Sequence, residues 1–453
     1  MKKRKKSKLA QFIGYCEFQY KHMDQWVLWL TVALFGIGLL VIYSVTLDPR
    51  FNNPNAWEAG RYVMQQATFG VIGIIAMLVM VLIPHKWLRS KLFGAGSIAL
   101  TLGLLLATLL FGQDGNDSNV SRWLEIGGFR FQPGEFARLG LIFAIAWMIY
   151  TMDAAKTYSV KWGTQKFKQF LISDRVRWQR KLKYLAGNQF AILAFVGLVA
   201  FMFIRQPDLG SGLTVLGVGG VMLLSSGIPK KFILFYSAIV IAGAVFAVFF
   251  GEMLPNHMGE RFAIWRDPFS HPDGLQNTMG FRSISLGGLF GMGLGHGSPL
   301  IPWQGGGLTR SGLAIEAHTD FIIVILAEEM GFIWVLGVMV AYCAIALRCF
   351  YNALRAHDLF SAMFAIGTGA LMLIQSFINL GGVSGLIPLT GITLPLLSFG
   401  GTSVVAILLM VGLYLNVSAE IARDRLNQAE VSINSKKAPK KVIPFLKTRK
   451  NPA

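Results

Sequence analysis

The sequence predicts an all-α, polytopic membrane protein of about ten transmembrane helices, with both termini cytoplasmic and one large extracellular loop between helices 7 and 8. Three observations carry this. Of the 453 residues, 54% are hydrophobic and only 14% are charged. The apolar residues gather into runs near the roughly 20 residues that cross a hydrocarbon core. Lysine and arginine are shared unevenly between the segments joining those runs.

In chain order, residues 1–24 form a basic cytoplasmic tail that opens Met1-Lys2-Lys3-Arg4-Lys5-Lys6. The first apolar run starts only near Gln25 and no small-residue cleavage site follows it. It therefore reads as a spanning helix, not as a signal peptide. Seven runs follow one another at about 25–45, 62–83, 92–111, 135–152, 188–204, 211–227 and 232–251. A long loop over 253–318, with apolar and glycine-rich pieces suited to lying on or dipping into a membrane, separates them from runs at 320–347, 359–380 and 391–416. Residues 25–417 are thus one membrane domain, and 418–453, with Lys436-Lys437-Ala438-Pro439-Lys440-Lys441, read as a disordered basic cytoplasmic tail.

An even number of spans puts both termini on one side. With the termini inside, 32 of the 42 Lys and Arg residues fall on inner segments. Placing Glu328 and Glu329 inside as well, the two faces carry about +22 and −3, which accounts for the net +19. The basicity is therefore a topology signal and argues against nucleic acid as a partner. Cys16, Cys343 and Cys349 all fall on the inner side, where thiols stay reduced. All ten outer cations are arginines, among them Arg122, Arg138 and Arg261, and the planar guanidinium suits an anionic ligand such as a phosphate. Composition drift and local ion pairs explain the same bias.

The chemistry concentrates at Glu316-Ala317-His318-Thr319-Asp320-Phe321, at the mouth of the eighth run. Ionisable groups at a membrane-helix entrance are costly to keep and mark a candidate site. Asp320 reads two ways: as the cap of the following helix, or as a general base whose carboxylate is partly desolvated. Glu316 and His318 would tune it or help hold a divalent cation, although three donors on one short segment do not define a metal set. A second cluster, Arg122-Trp123 through Phe131-Gln132-Pro133-Gly134-Glu135 to Arg138, opens the fourth helix, with Pro133 as a start signal and Glu135 and Arg138 one turn apart. It reads as an interfacial ion pair or as a charged partner for Asp320 or substrate. Gln206-Pro207-Asp208-Leu209-Gly210 reads as a turn with Asp208 as helix cap. Gly287–Gly295 lacks the strand and lysine of a nucleotide loop and instead gives backbone freedom beside a re-entrant segment. Pro388, Gly391, Pro395, Gly400 and Gly401 break the tenth helix, as expected of backbone lining a cavity.

These blocks resemble the FtsW/RodA/SpoVE (SEDS) family of bacterial cell-wall polymerases from Asp24 to about Asn416. Arg122-Trp123 through Arg138 is similar to the family's RW…FQPSE..K block, and Gln206–Gly210 matches QPDLG. Gly287–Gly295 resembles GGL.G.GLG, Glu316–Glu329 resembles PE.HTDF…EE, and Asn379–Ser403 resembles the closing glycine- and proline-rich block that contains Ser398. The chain departs from the pattern at Gly134 (usually Ser), Arg138 (usually Lys) and Ile315 (usually Pro), has a lengthened approach over 304–310, and lacks the usual Tyr-Gln before the glycine block.

The resemblance implies a multi-pass protein of the bacterial cytoplasmic membrane that transfers glycan from undecaprenyl diphosphate onto lipid II at the extracytoplasmic face. Asp320 would be the essential acid, with Glu135 and Arg138 close to it. Glu316, His318, Arg122, Trp123, Gln132, Asp208, Arg261 and Ser398 would serve as supporting or substrate-binding positions. Implied partners are lipid II, the nascent glycan chain, a class B penicillin-binding protein and other divisome or elongasome proteins. No cofactor is required by the sequence; a divalent cation, Mg or Mn, is the candidate. The Glu-Ala-His form before Thr319 leans toward the division branch over the elongation branch. The alternatives are an elongation polymerase, a lipid II flippase and a non-catalytic scaffold for the penicillin-binding protein.

Overall fold

The computed structural model describes residues 8–47, 56–112, 122–127, 129–152, 175–227, 230–254, 257–295 and 318–437. Glu316 and the stretch 298–315 lie outside them. Among the described residues eight helices are long and apolar enough to span a membrane, and two shorter apolar helices, Gln189–Arg205 and Leu209–Ser225, bring the number to the expected ten. The chain is a multi-pass all-helical membrane protein.

Helix α1 (Lys8–His22) precedes the first span, α2 (Gln25–Leu47), and is followed by α3 (Ala56–Leu82), the single turn α4 (His85–Leu88) and α5 (Lys91–Phe111). Among the described residues the one sheet is a hairpin of β1 (Leu124–Ile126) and β2 (Phe129–Phe131), with Glu125 opposite Arg130. Then come α6 (Pro133–Met152), α7 (Arg175–Arg205), α8 (Leu209–Ser225) and α9 (Lys230–Phe250). Two short helices, α10 (His257–Arg266) and α11 (Leu275–Gly287), lie in the long loop. The chain ends with α12 (Ile322–Met330), α13 (Phe332–Ala353), α14 (Leu359–Val383) and α15 (Gly401–Lys437).

Helices α14 and α15 are the most buried spans and form the centre of the bundle, whereas α9 is almost wholly exposed. Apolar side chains facing outward, such as Ile74, Ile239 and Val340, fit lipid surroundings rather than water. One end of the bundle is tied by polar groups. The Asp24 carboxylate accepts hydrogen bonds from the Arg348 guanidinium at 3.2 Å and from Asn352 at 2.7 Å, joining the start of α2 to the end of α13. At the same end Asp358 caps α14, accepting from the Ser361 amide at 3.0 Å, and pairs with Arg89 at 2.9 Å. All three cysteines are free.

The structure corrects three expectations. The eighth segment is not one helix, because Gly331 adopts φ +88 between α12 and α13 and so breaks the run. The run is apolar on both sides apart from Glu328 and Glu329, so averaged hydropathy does not show the break. As a result Glu328 and Glu329 do not lie with the inner segments: Glu329 accepts a hydrogen bond from Ser44 in the last turn of α2, the end away from Asp24. The tail from 418 is helical as far as Lys437, because α15 continues beyond its apolar part with residues that favour helix. Finally, the tenth helix begins only at Gly401: residues 385–400 are non-helical, and 394–398 are buried while Leu386 and Gly391 are exposed.

Side-chain donors explain how non-helical backbone is held here. A buried carbonyl without a donor costs roughly 1–3 kcal/mol, and no lipid can supply the donor. Six carbonyls of the segment each receive one from a side chain. Trp265 donates to Gly385 at 2.9 Å, Arg261 to Thr390 at 2.8 Å and Asn379 to Ile392 at 2.8 Å. Gln375 donates to Thr393 at 2.8 Å, Tyr342 to Pro395, and Gln66 to Ser398 at 3.0 Å. Donors from α3, α10, α13 and α14 thus replace the missing helical ladder.

Candidate active site

Asp320 is buried, with 8% of its surface exposed, and is not the cap of α12. The cap position belongs to Phe321, which makes no capping side-chain bond. Asp320 stands one residue earlier and turns toward the interrupted segment, its Oδ2 about 3.7 Å from where a Cβ on Gly391 would sit. The same point is 3.5 Å from a terminal nitrogen of Arg261. Gly391 has φ +69, a backbone conformation that suits glycine, so the space between the carboxylate and the guanidinium is left open. Arg261 is fixed there by its bond to Thr390 and feels both Asp320 and Asp208. Burial, and then neighbouring Arg122, lower its pKa from the usual arginine value, while these carboxylates oppose the shift.

The backbone at Asp320 is clamped from two sides. Asn379 of α14 donates from one amide nitrogen to the Asp320 carbonyl at 2.8 Å and to the Ile392 carbonyl at 2.8 Å. The amide of Phe399 donates to the His318 carbonyl at 2.7 Å. The His318 ring packs between Tyr62 at 4.9 Å and Phe399 at 5.2 Å. Burial lowers its pKa from the usual histidine value, which favours the neutral ring. In this setting His318 is an aromatic wall beside Asp320.

Glu135 and Arg138 form the expected pair one helical turn apart, both almost completely buried. Asp208 and Ser403 lie beside Glu135. Asp208 caps α8 as expected, accepting from the Ser211 amide at 3.0 Å. Its turn meets the interrupted segment, because Gly210 packs against Thr390 and Ile392. Arg122 donates to the Pro207 carbonyl and so ties the start of the hairpin to that turn. Trp123 lies under the Arg130 guanidinium at 5.4 Å, and Gln132 accepts from the Glu135 amide at 3.3 Å at the start of α6.

The fold therefore brings Asp320, Arg261, Asp208 and Arg122 together near residues 390–392, with Glu135 and Arg138 reached through Asp208, although they come from four sequence blocks. Arg138 is engaged with Glu135, and the arginine sharing Gly391 with Asp320 is Arg261. Ser398 plays a different part: its hydroxyl accepts from the Leu394 amide at 2.8 Å and closes a turn of the interrupted segment. Sequence reasoning marked Gly391 as a helix breaker but missed Asn379 and Gln66 as site-forming residues. Asn379 opens the closing block, whereas Gln66 lies within the apolar run of α3 and gave no signal.

Among the described residues no group of three or more His, Cys, Asp or Glu comes together to hold a metal ion. The acidic groups near Asp320 are instead interleaved with arginines, a donor set better matched to a phosphate-bearing ligand than to a bare cation.

A ten-span bundle with a buried carboxylate and arginines around an unwound segment defines a class of polytopic membrane protein built about a site at an interrupted helix. The family model described as cell cycle protein, FtsW/RodA/SpoVE, matches residues 25–423, and the chain belongs to that family. A relative from Bacillus subtilis (strain 168), named probable peptidoglycan glycosyltransferase FtsW, is 31% identical over 88% of this chain and 91% of its own length. One of the same name from Neisseria gonorrhoeae is 32% identical over 89% and 86%. Among solved structures, a chain from a peptidoglycan synthase complex that coordinates polymerization and crosslinking superposes with a TM-score of 0.64 at 25% identity, over 88% of this chain and 98% of that one. The rod shape determining protein RodA of Thermus thermophilus shares the fold, with a TM-score of 0.57 at 22% identity over 87% and 96%.

Proposed function

We propose that this chain is a peptidoglycan glycosyltransferase that polymerises lipid II at the outer face of the bacterial cytoplasmic membrane, with Asp320 as its general base. One observation carries the assignment of the residue: a buried carboxylate just before α12 stands beside Gly391, with Arg261 on the other side of that glycine. Family membership and the relatives' names support the activity.

The reaction is a single displacement with inversion. The acceptor GlcNAc 4-hydroxyl loses its proton to Asp320 as its oxygen attacks C1 of the MurNAc at the end of the growing chain. The bond from C1 to the phosphate oxygen breaks, and undecaprenyl diphosphate leaves with the bonding electrons. The α-linked donor becomes a β-1,4 product, as one displacement requires. Arg261 and Arg122 meet the charge that develops on the diphosphate.

The relatives' name and the family's description as a cell cycle protein support a septal role in cell division, and the similar chain from a synthase complex that coordinates polymerization and crosslinking supports a class B penicillin-binding protein as partner. Polymerisation of labelled lipid II by the purified chain with such a partner tests the activity. Unchanged lipid II with the wild-type pair would refute it. Depletion tests the role: filaments without septa support division, and rounded cells would transfer the protein to elongation.

A further inference from the structure

The glycine-rich stretch 287–295 and the paired acids Glu328-Glu329 are the two motifs that the chemistry above leaves unused, and they meet. The Met292 amide donates to the Glu328 carbonyl at 2.9 Å and the Gly293 amide to the Glu329 carbonyl at 2.8 Å. In the other direction, Phe332 donates to Gly288 at 2.9 Å and Ile333 to Leu289 at 3.2 Å. The backbones approach so closely that a Cβ on Gly287 would stand 1.9 Å from the Ala327 carbonyl oxygen, and one on Gly291 2.2 Å from that of Glu329. Only glycine fits at these places. The stretch is therefore clasped onto the break at Gly331.

Side chains lock the clasp. Ser44 of α2 donates its hydroxyl to Glu329 Oε2 at 2.5 Å and accepts the Gly295 amide at 2.8 Å. One serine thus joins a spanning helix, the glycine-rich stretch and the last turn of α12. All of α12 from Ile322 to Glu329 is buried, and Asp320 stands two residues before its start. A helix of nine residues is about 13 Å long, so whatever holds its far end sets where Asp320 can be.

We infer that Glu329 and Ser44 are positioning residues for Asp320: their bond pins the far end of α12 and holds the carboxylate in register with Gly391 and Arg261. The carboxylate of Glu329 acts here as a hydrogen-bond acceptor. A glutamine in its place keeps an acceptor oxygen for Ser44, and alanine does not. The inference rests on the polymerase reading for its rate measurements only, because the clasp itself is open to a measurement without substrate.

The test uses the full-length protein with its crosslinking partner, labelled lipid II as substrate, and the variants Glu329→Ala, Glu329→Gln, Ser44→Ala and the double alanine variant. Misplacing a catalytic group by about 1 Å costs up to about a hundredfold in rate. Glu329→Ala and Ser44→Ala are expected to lower kcat by about tenfold to a hundredfold with KM for lipid II unchanged. Glu329→Gln should retain most of the rate, and the double variant should be no worse than the poorer single one. Hydrogen exchange across 288–295 should rise in both alanine variants and not in Glu329→Gln. Wild-type kcat in Glu329→Ala, additive losses in the double variant, loss in Glu329→Gln equal to that in Glu329→Ala, or a rise in KM alone would overturn the inference. If the wild type itself leaves lipid II unchanged, the polymerase reading fails, and exchange alone decides the clasp: no change on removing Ser44 refutes it.

Discussion

Replacing Asn379 by alanine removes one amide group and, with it, two bonds that join three parts of the site. The Asn379 nitrogen donates at 2.8 Å to the carbonyls of Asp320 and Ile392, and the residue is 3% exposed. Water has little access to replace it. Two buried carbonyls lose their donor, each at roughly 1–3 kcal/mol, so a stability loss of about 2–6 kcal/mol is expected, reduced by whatever relaxation the segment allows. Relaxation is itself damaging, because it moves Asp320 relative to Gly391 and Arg261, and a shift of about 1 Å can lower a rate by about a hundredfold. Asn379→Asp should be at least as harmful, since a carboxylate offers no donor to two carbonyls. The assay pairs thermal unfolding in detergent with lipid II polymerisation below the unfolding range. Wild-type turnover in Asn379→Ala, or rescue by Asn379→Asp, would refute the reasoning.

Three further outcomes are expected. Glu135→Gln leaves the Arg138 charge buried and unpaired, which should destabilise the protein by about 3–5 kcal/mol, whereas Glu135→Gln with Arg138→Gln should melt closer to the wild type. Gly391→Ala should abolish polymerisation while lowering stability by only about 1–2 kcal/mol, because the strain of φ +69 is small beside the loss of the space between Asp320 and Arg261; Gly391→Asn, which tolerates that φ, should be equally inactive. His85 lies outside the spans among Arg89, Asp358 and Arg423, and burial, then Arg89, lowers its pKa to about 4. The folded protein therefore keeps it neutral while the unfolded chain takes up a proton below about 6.5. Stability present above pH 6.5 should fall as the pH drops toward 4, by up to about 3 kcal/mol, and His85→Gln should flatten that part of the melting-temperature profile.

What the sequence shows and what it hides divide along the range of the interactions. Local patterns were legible: the ten apolar runs, Asp208 as a cap three residues from Ser211, and Glu135 with Arg138 one turn apart. Asp320 was legible as a costly group at a helix mouth, but that the cap position falls one residue later, on Phe321, was not, since an Asp before an apolar run looks the same in either case. Gly331 was hidden because hydropathy averages across a single glycine, and Glu328 and Glu329 just before it read as part of one long apolar run. Glu329 could not be placed, because its partner Ser44 is 285 residues away in sequence. The interrupted tenth segment was visible from its glycines and prolines, yet its support from Gln66, Trp265, Tyr342 and Asn379 depends on four separate helices. Charge bias also followed the fold: moving Glu328 and Glu329 to the arginine-rich face leaves the opposite face more basic than the sequence reading assumed.

The central claim is that the Asp320 carboxylate takes a proton during glycan transfer. Asp320→Asn keeps the shape and removes the basicity, so it isolates that claim from packing. The purified variant, with its crosslinking partner and labelled lipid II, should retain the wild-type melting temperature and partner binding and form no polymer. Polymerisation at the wild-type rate by Asp320→Asn would contradict the role assigned to this carboxylate.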